Sequence, residues 1–287
     1  MQIERCPLFV EGFAGKVALS LALHREGLKP LFAHMGGKQA YSGAILDLMG
    51  LKPGLGAESY IWAETDPFCM ALLRLYNEPE WAAKLIKDLG VYLPDPTPGN
   101  VIGAMKTYDI WDQFITHPDL SDVAKLLVAA WSVKGLYLTP HNRMRYSGPD
   151  RKNSDTVGGP SVHCLIKRLQ ACTPEPIFSN VSIYRDFRVL YPSKVPEGTI
   201  VYLDPPYPGV TGYEGQGIDQ EEICLLALRW YEAGADVYVS LDEPIWALCM
   251  DHGWDVADIS EDKRGCAVRT NFSTQHKEYV TFRRHLG

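Results

Sequence analysis

Apolar positions in the first third of the chain come in short runs, each stopped by a charge or glycine and followed by helical periodicity. In PLFVEGFAGKVALSLALHREG (7–27), the run from Leu8 to Glu11 predicts a strand. The glycines then predict a turn, and the spacing from about Lys16 to Gly27 predicts a helix. PLFAHM predicts a second strand ending in Gly36-Gly37-Lys38, and AYSGAILDLMG predicts an apolar helix closed by Gly50. YIWAETDP predicts a third strand, with a helix after it from about Phe68 to Tyr76. Such alternation argues for a parallel sheet flanked by helices.

The pattern changes at the proline-rich YLPDPTPGN (92–100). A helical stretch, LSDVAKLLVAAWSV, then runs into the long polar segment TPHNRMRYSGPDRKNSDTVGGP, and loops of that length in compact domains usually carry function or remain disordered. Sheet character returns with IFSNVSIYRDF and GTIVYLDPP. A helix at about 219–233, the strand DVYVSLDE, a helix at about 244–252 and the paired strands WDVADIS and KEYVTFRR follow. The expected fold is therefore α/β, with a sheet domain in two sequence halves (1–91 and 176–287) and an inserted, mostly helical and loop region at 92–175.

The 287 residues, 46% hydrophobic and 22% charged, suit an ordinary globular protein with a sizeable core. No apolar run reaches membrane-spanning length and no basic-then-apolar segment opens the chain, so neither a membrane span nor a secretion signal is expected. Seven scattered cysteines without C-x-x-C spacing read as reduced thiols of an intracellular protein. The eight histidines do not pair with them at ligand spacing, so no metal site is expected.

A net charge of −7 argues against a nucleic-acid partner until its distribution is read. Residues 134–170 hold Lys134, Arg143, Arg145, Arg151, Lys152, Lys167 and Arg168 against Asp150 and Asp155. Residues 263–287 hold Lys263, Arg264, Arg269, Lys277, Arg283 and Arg284 against Glu278 alone. Local field governs phosphate contact, and two such zones suit one basic surface as well as they suit two solvated faces.

The chemistry concentrates in IVYLDPPYPG (200–209). An apolar strand that ends on Asp204 places a carboxylate where parallel sheets bind ligands. Pro205 and Pro206 stiffen the turn and donate no hydrogen bond, so the local backbone offers acceptors only. Tyr207 adds a flat aromatic face with a polar tip. A rigid acceptor group beside an aromatic plate suits a planar ring carrying an exocyclic amino group. The bland alternative for the tetrad is a capped strand end with a stiff turn.

DPPY inside YLDPPYPGVTGY resembles the catalytic motif of S-adenosylmethionine-dependent DNA adenine methyltransferases, the phage-type members in particular. The resemblance covers about two thirds of the chain and implies a Rossmann-like methyltransferase sheet with an inserted target-recognition region. It implies Asp204, Pro205, Pro206 and Tyr207 as catalytic, S-adenosylmethionine as cofactor and DNA as partner. A cytoplasmic setting in a bacterial or phage-infected cell goes with it. NVSIYRDFRVL resembles the segment whose acid, here Asp186, contacts the cofactor adenine. AETDPF resembles the strand end whose acids, here Glu64 and Asp66, hold the ribose. MGGKQAYSGAIL resembles the glycine-glycine-lysine segment, here with Gly37 and Lys38, that lines the methionine part of the pocket. Phe13 and Gly15 correspond to the family's F-V-E-P-F-x-G-x-G loop. Here that loop reads FVEGFAGKVALSL, precedes the glycine-glycine-lysine segment instead of following it, and lacks the last glycine.

The resemblance implies a flipped adenine stacked on Tyr207, with Tyr213 as a second wall. Arg143, Arg145, Arg151 and Lys152 would contact phosphate. Plainer roles stay open for Asp66 (a helix N-cap), Lys38 (a surface lysine) and Asp186 (a solvated loop acid). Cytosine's amino group would present the same hydrogens to the same acceptors. A non-catalytic DNA-binding protein on a decayed scaffold is the reading from a different class.

Overall fold

The computed structural model describes residues 6–28, 30–31, 38–65, 67–92, 136–138, 144–146, 169–170, 176–206, 218–262 and 277–285. They fall into two compact units: residues 1–30, 37–66 and 180–287 in the first, 31–36 and 67–179 in the second. Residues 67–91, grouped with the sheet domain in the sequence reading, fall in the second unit.

The first unit is built on seven strands: β1 (Cys6–Gly12), β2 (Ala57–Ala63), β5 (Val181–Tyr184), β6 (Ile200–Leu203), β7 (Asp236–Leu241), β8 (Asp255–Asp258) and β9 (Tyr279–Arg283). They lie in the order β5-β2-β1-β6-β7-β9-β8. The first five are mutually parallel, and β9 runs antiparallel to both β7 and β8. This is a Rossmann-like α/β sheet, and its helices follow from the connections. Helix α1 (Ala18–His24) lies between β1 and β2 in the chain, and α5 (Gln220–Glu232) lies between β6 and β7. One crossover runs outward from β1 and the other outward from β6, in opposite directions. Crossovers of one hand that run in opposite directions put their helices on opposite faces of the sheet.

The register confirms the two faces. Phe9 pairs with Tyr60 and Glu11 with Trp62, and His24 of α1 meets Tyr60 edge-on, so these side chains share the α1 face. Val10, Val201, Leu203, Val237, Val239 and Leu241 point the other way. They form one core with Ile223, Leu226, Ala227 and Trp230 of α5. Strands buried on both faces read as continuous apolar runs, which is why IVYL and DVYVSL show little alternation. Helix α5 starts where Asp219 accepts the amide of Glu222, with Glu221 and Glu222 in its positive first turn.

Gly12, the last residue of β1, has a packing reason to be glycine. A Cβ there would come within 2.6 Å of Phe187 Cδ2 and 2.7 Å of Leu203 Cδ2. Phe187, in the short 3-10 turn Phe187–Val189, stacks on Trp230 and leans on Phe13. Helix α2 (Ser42–Leu48) follows a 3-10 turn, Lys38–Ala40, that brings Lys38 into the interior.

The second unit contains α3 (Pro67–Asn77), α4 (Pro79–Tyr92) and a hairpin of β3 (Leu136–Leu138) with β4 (Met144–Tyr146). Arg74 joins its two helices. It donates through Nε to Glu78 at 2.9 Å and lies 3.8 Å over the Trp81 ring. The expected strand PLFAHM and helix LSDVAKLLVAAWSV lie largely or wholly outside the described residues. Among the described residues, no helix is long and apolar enough to cross a membrane, and Cys6, Cys69, Cys224 and Cys249 are free thiols.

Candidate active site

Strand order reverses between β1 and β6, and the crevice outside such a reversal is where open α/β sheets bind ligands. The backbones close there, with the Asp204 amide donating to the Gly12 carbonyl at 3.2 Å. Three adjacent strands carry a carboxylate at this end: Glu11 in β1, Glu64 after β2 and Asp204 after β6. Apolar strands push their charges to the end, where polar partners or solvent can meet them.

Asp204 does not stand in an acceptor-only setting. Lys38 Nζ lies 3.0 Å from Asp204 Oδ1 and 3.3 Å from Glu278 Oε1, so one ammonium bridges two carboxylates. The three side chains are 6%, 19% and 6% exposed for Lys38, Asp204 and Glu278. Asp204 thus keeps the most solvent access. Ser240 Oγ donates to the same Glu278 oxygen.

The alignment explains the convergence. Tyr202 pairs with Glu11 on one side and Tyr238 on the other, so two residues further on Asp204 and Ser240 share the α1 face. Ser240 also pairs with Val280 of β9, and Glu278 lies two residues before Val280, on that face again. The amide of Glu278 donates to Ser260 Oγ at 2.9 Å, and its carbonyl accepts from Ile259 at 2.9 Å, which fixes the carboxylate's base.

Burial pushes the Asp204 carboxyl up to about 6; the Lys38 charge works against this and the Glu278 charge adds to it. Burial alone would lower the Lys38 pKa, but Asp204 and Glu278 outweigh it and hold it above the ordinary lysine range. The two carboxylates thus favour the charged ammonium.

Glu11 is a second buried acid in the same place. The amide and hydroxyl of Ser20 donate to its Oε2 at 3.0 and 2.6 Å, and Trp62 Nε1 donates to Ser20 Oγ at 2.9 Å. Burial, with a smaller push from the Asp204 charge, raises the Glu11 carboxyl to about 7 against the lowering effect of Ser20.

The loop after β1 holds three consecutive alternate residues in the left-handed region: Phe13 (φ 56°), Gly15 (φ 49°) and Val17 (φ 51°). For a β-branched residue such as Val17 this conformation costs on the order of 1–3 kcal/mol, so surrounding bonds must impose it. Glu64 supplies part of that restraint. Its Oε2 accepts the Gly15 amide at 2.6 Å, and its Oε1 accepts the Thr65 amide at 2.8 Å. Phe13 packs against Phe187, with ring centroids 5.8 Å apart.

Asp186 caps the turn at 187–189 by accepting the Arg188 amide at 2.9 Å, and it pairs with the Arg188 guanidinium at 2.8 Å. Burial would raise its carboxyl, but Arg188 more than offsets this and holds it below the usual range.

The structure thus brings Lys38 and Asp204 together, with Pro205 and Pro206 continuing from the strand end. It ties Phe13, Gly15 and Glu64 to the neighbouring loop, and it pairs Asp186 with Arg188. Arg145 lies in β4, in register with Tyr137. Gly37, Asp66, Tyr207, Tyr213, Arg143, Arg151 and Lys152 lie outside the described residues. Sequence reading missed Glu278, Ser240 and Glu11. Glu11 carries a legible signal, an acid closing an apolar run just as Asp204 does. Glu278 was hidden as the one acid in a basic segment.

No protein-family model and no curated protein matches the chain. Among solved structures it is similar to the rRNA methyltransferase aviRa from Streptomyces viridochromogenes. The two are 14% identical, over 98% of this chain and 79% of that one, with a TM-score of 0.29, a likeness too loose to carry a functional argument.

Proposed function

We propose that the chain is an S-adenosylmethionine-dependent DNA methyltransferase acting on the exocyclic amino group of a flipped-out adenine. The observation that carries this reading is the position of Asp204: a partly accessible carboxylate at the sheet's reversal point, oriented by a buried lysine and followed by two prolines.

The residues present fit the cofactor by charge. S-adenosylmethionine carries a sulfonium and an ammonium, and Glu64 places a carboxylate at the end of β2, bonded to the Gly15 amide of the loop after β1. The loop from Phe13 to Val17, with Glu64 behind it, would hold the cofactor. When bound, it supplies an electrophilic methyl group.

The chain's own work is to prepare the amine. An adenine amino nitrogen is a weak nucleophile because its lone pair is delocalised into the ring. Asp204 Oδ2 and the Pro205 carbonyl would accept its two hydrogens and favour a more tetrahedral nitrogen. They would also stabilise the positive charge that develops on it, as preorganised acceptors do. The prolines restrict motion of these acceptors, and alignment supplies much of the remaining acceleration. Tyr207, with Tyr213, would stack the extruded ring, and Arg143, Arg145, Arg151 and Lys152 would contact the phosphates.

The test is incubation with duplex DNA and labelled S-adenosylmethionine, with mass spectrometry of the hydrolysed product. Wild-type protein should yield N6-methyladenine. Asp204→Ala should lose about a thousandfold in rate while binding cofactor within about threefold of wild type. Near wild-type methylation by Asp204→Ala defeats the assignment, and N4-methylcytosine as the product moves the substrate to cytosine.

A further inference from the structure

Asp204 has one oxygen committed to Lys38, and Lys38 is committed in turn to Glu278. The cation sits between two carboxylates contributed by segments far apart in the chain, all on one face of the sheet. We propose that Glu278 and Ser240 are positioning residues: they anchor the Lys38 ammonium against Asp204 Oδ1, so that Asp204 presents Oδ2 in a fixed direction to a substrate amine. This deepens the reading above, on which its catalytic part rests.

The geometry argues for this in three ways. A lysine ammonium has three donors on a flexible stem, so it orients a carboxylate only if its other donors are held. Here a second carboxylate holds one at 3.3 Å. That second carboxylate is itself fixed by the Ser240 hydroxyl, the Ser260 hydroxyl on its amide and the Ile259 amide on its carbonyl.

Exposure then separates the two acids. At 19% against 6%, Asp204 is the more exposed of the two acids that Lys38 bridges. A purely structural ion pair would need no such asymmetry, and a buried pair is weak evidence for stability in any case.

Third, among the described residues the same ammonium faces both carboxylates. The charges that act on Asp204 are those of Lys38, from the turn before α2, and Glu278, from the start of the β9 segment, and Asp204 in turn acts on Glu11 of β1. Glu278 therefore controls how much of the lysine's charge reaches Asp204. Without the Glu278 charge, more of it falls on Asp204. The carboxylate becomes easier to ionise and poorer as an acceptor.

The test uses the near-isosteric Glu278→Gln on the full chain, with Ser240→Ala as a second, milder variant. Carbon-13 NMR of side-chain carboxyls follows the Asp204 titration, its resonance assigned by loss in Asp204→Asn. This readout does not depend on enzymatic activity. In Glu278→Gln, Asp204 should titrate about one pH unit lower than in wild type. Ser240→Ala leaves Glu278 charged and lets its Oε1 draw more on Lys38, so it should shift the titration the other way, by less. An unmoved Asp204 titration in Glu278→Gln overturns the proposal.

In methyl-transfer assays at about pH 8, where Asp204 is ionised in both proteins, Glu278→Gln should lower kcat about tenfold with the cofactor KM unchanged. Glu278→Asp should recover part of the loss. An unchanged kcat overturns the positioning role. If wild-type protein methylates no nucleic acid while the titration shifts as stated, the methyltransferase reading fails and the link from Glu278 to Asp204 stands.

Discussion

Lys38 Nζ lies 3.0 Å from Asp204 Oδ1, across 166 positions of sequence, in a site where neither side chain is more than 19% exposed. A glycine-flanked lysine and a strand-end aspartate, each singled out separately, are direct partners. On the proposed function, the acceptor that a substrate amine would meet already has a donor on one oxygen.

Removing that donor should be costly in a pH-dependent way. Lys38→Met removes the ammonium that Asp204 and Glu278 share while both carboxylates stay buried, so it should destabilise the protein by about 3–5 kcal/mol near pH 8. The variant can relieve the repulsion by protonating one carboxyl. Its deficit should therefore shrink as pH falls towards about 5. Urea unfolding of both proteins at the two pH values checks this; equal deficits would count against the bridge.

Glu11 should weaken the native state at high pH. Its folded carboxyl titrates near 7, against an ordinary value of 4.5. The raised value means the folded chain favours the protonated acid. Stability from this group is complete below about 4.5 and is lost as pH rises through about 7. The full loss is about 3 kcal/mol. Glu11→Gln keeps an acceptor for Ser20 and removes the charge. It should raise stability by about 1–3 kcal/mol near pH 8 and change it little near pH 5. Thermal unfolding at both pH values measures the difference.

If Asp204 must be ionised to accept the amine's hydrogens, the rate should climb with pH through about 6 and level off above it. Lys38 should add no falling limb below about pH 10, because its pKa is held above the ordinary 10.5. A pH profile of kcat/KM for methyl transfer reads both features. A profile flat between about pH 5 and 8 would mean that Asp204 ionisation does not govern the rate.

Gly12→Ala should destabilise by about 1–3 kcal/mol, because its methyl group would overlap Phe187 and Leu203. Shrinking the neighbour should relieve part of this. The pair Gly12→Ala with Phe187→Leu should cost less than the sum of the single changes. Chemical denaturation of the four proteins in the cycle gives the coupling directly.

The elements of the first unit were legible because their signals are local. Apolar runs of four to seven residues, closed by glycine or a charge, became β1, β2, β6 and β7 within a few residues of the expected bounds. Asp204 was legible for the same reason, since an acid at the end of IVYL has few places to go except a strand end. Glu64 and Asp186 were singled out only through the resemblance of AETDPF and NVSIYRDFRVL to family segments. Their partners were not legible: the Gly15 amide lies 49 positions from Glu64, and Arg188 could equally have faced solvent.

What the sequence determined by itself is which segments become strands and helices, and that carboxylates close several of the strands. Periodicity and end residues act over a few positions, within a single element. Only the tertiary structure decided that β9 returns antiparallel beside β7, setting Glu278 next to Ser240 and Lys38 between Glu278 and Asp204. Strand order and register come from long-range pairing, and a buried charge's partner is whichever group that pairing brings within reach.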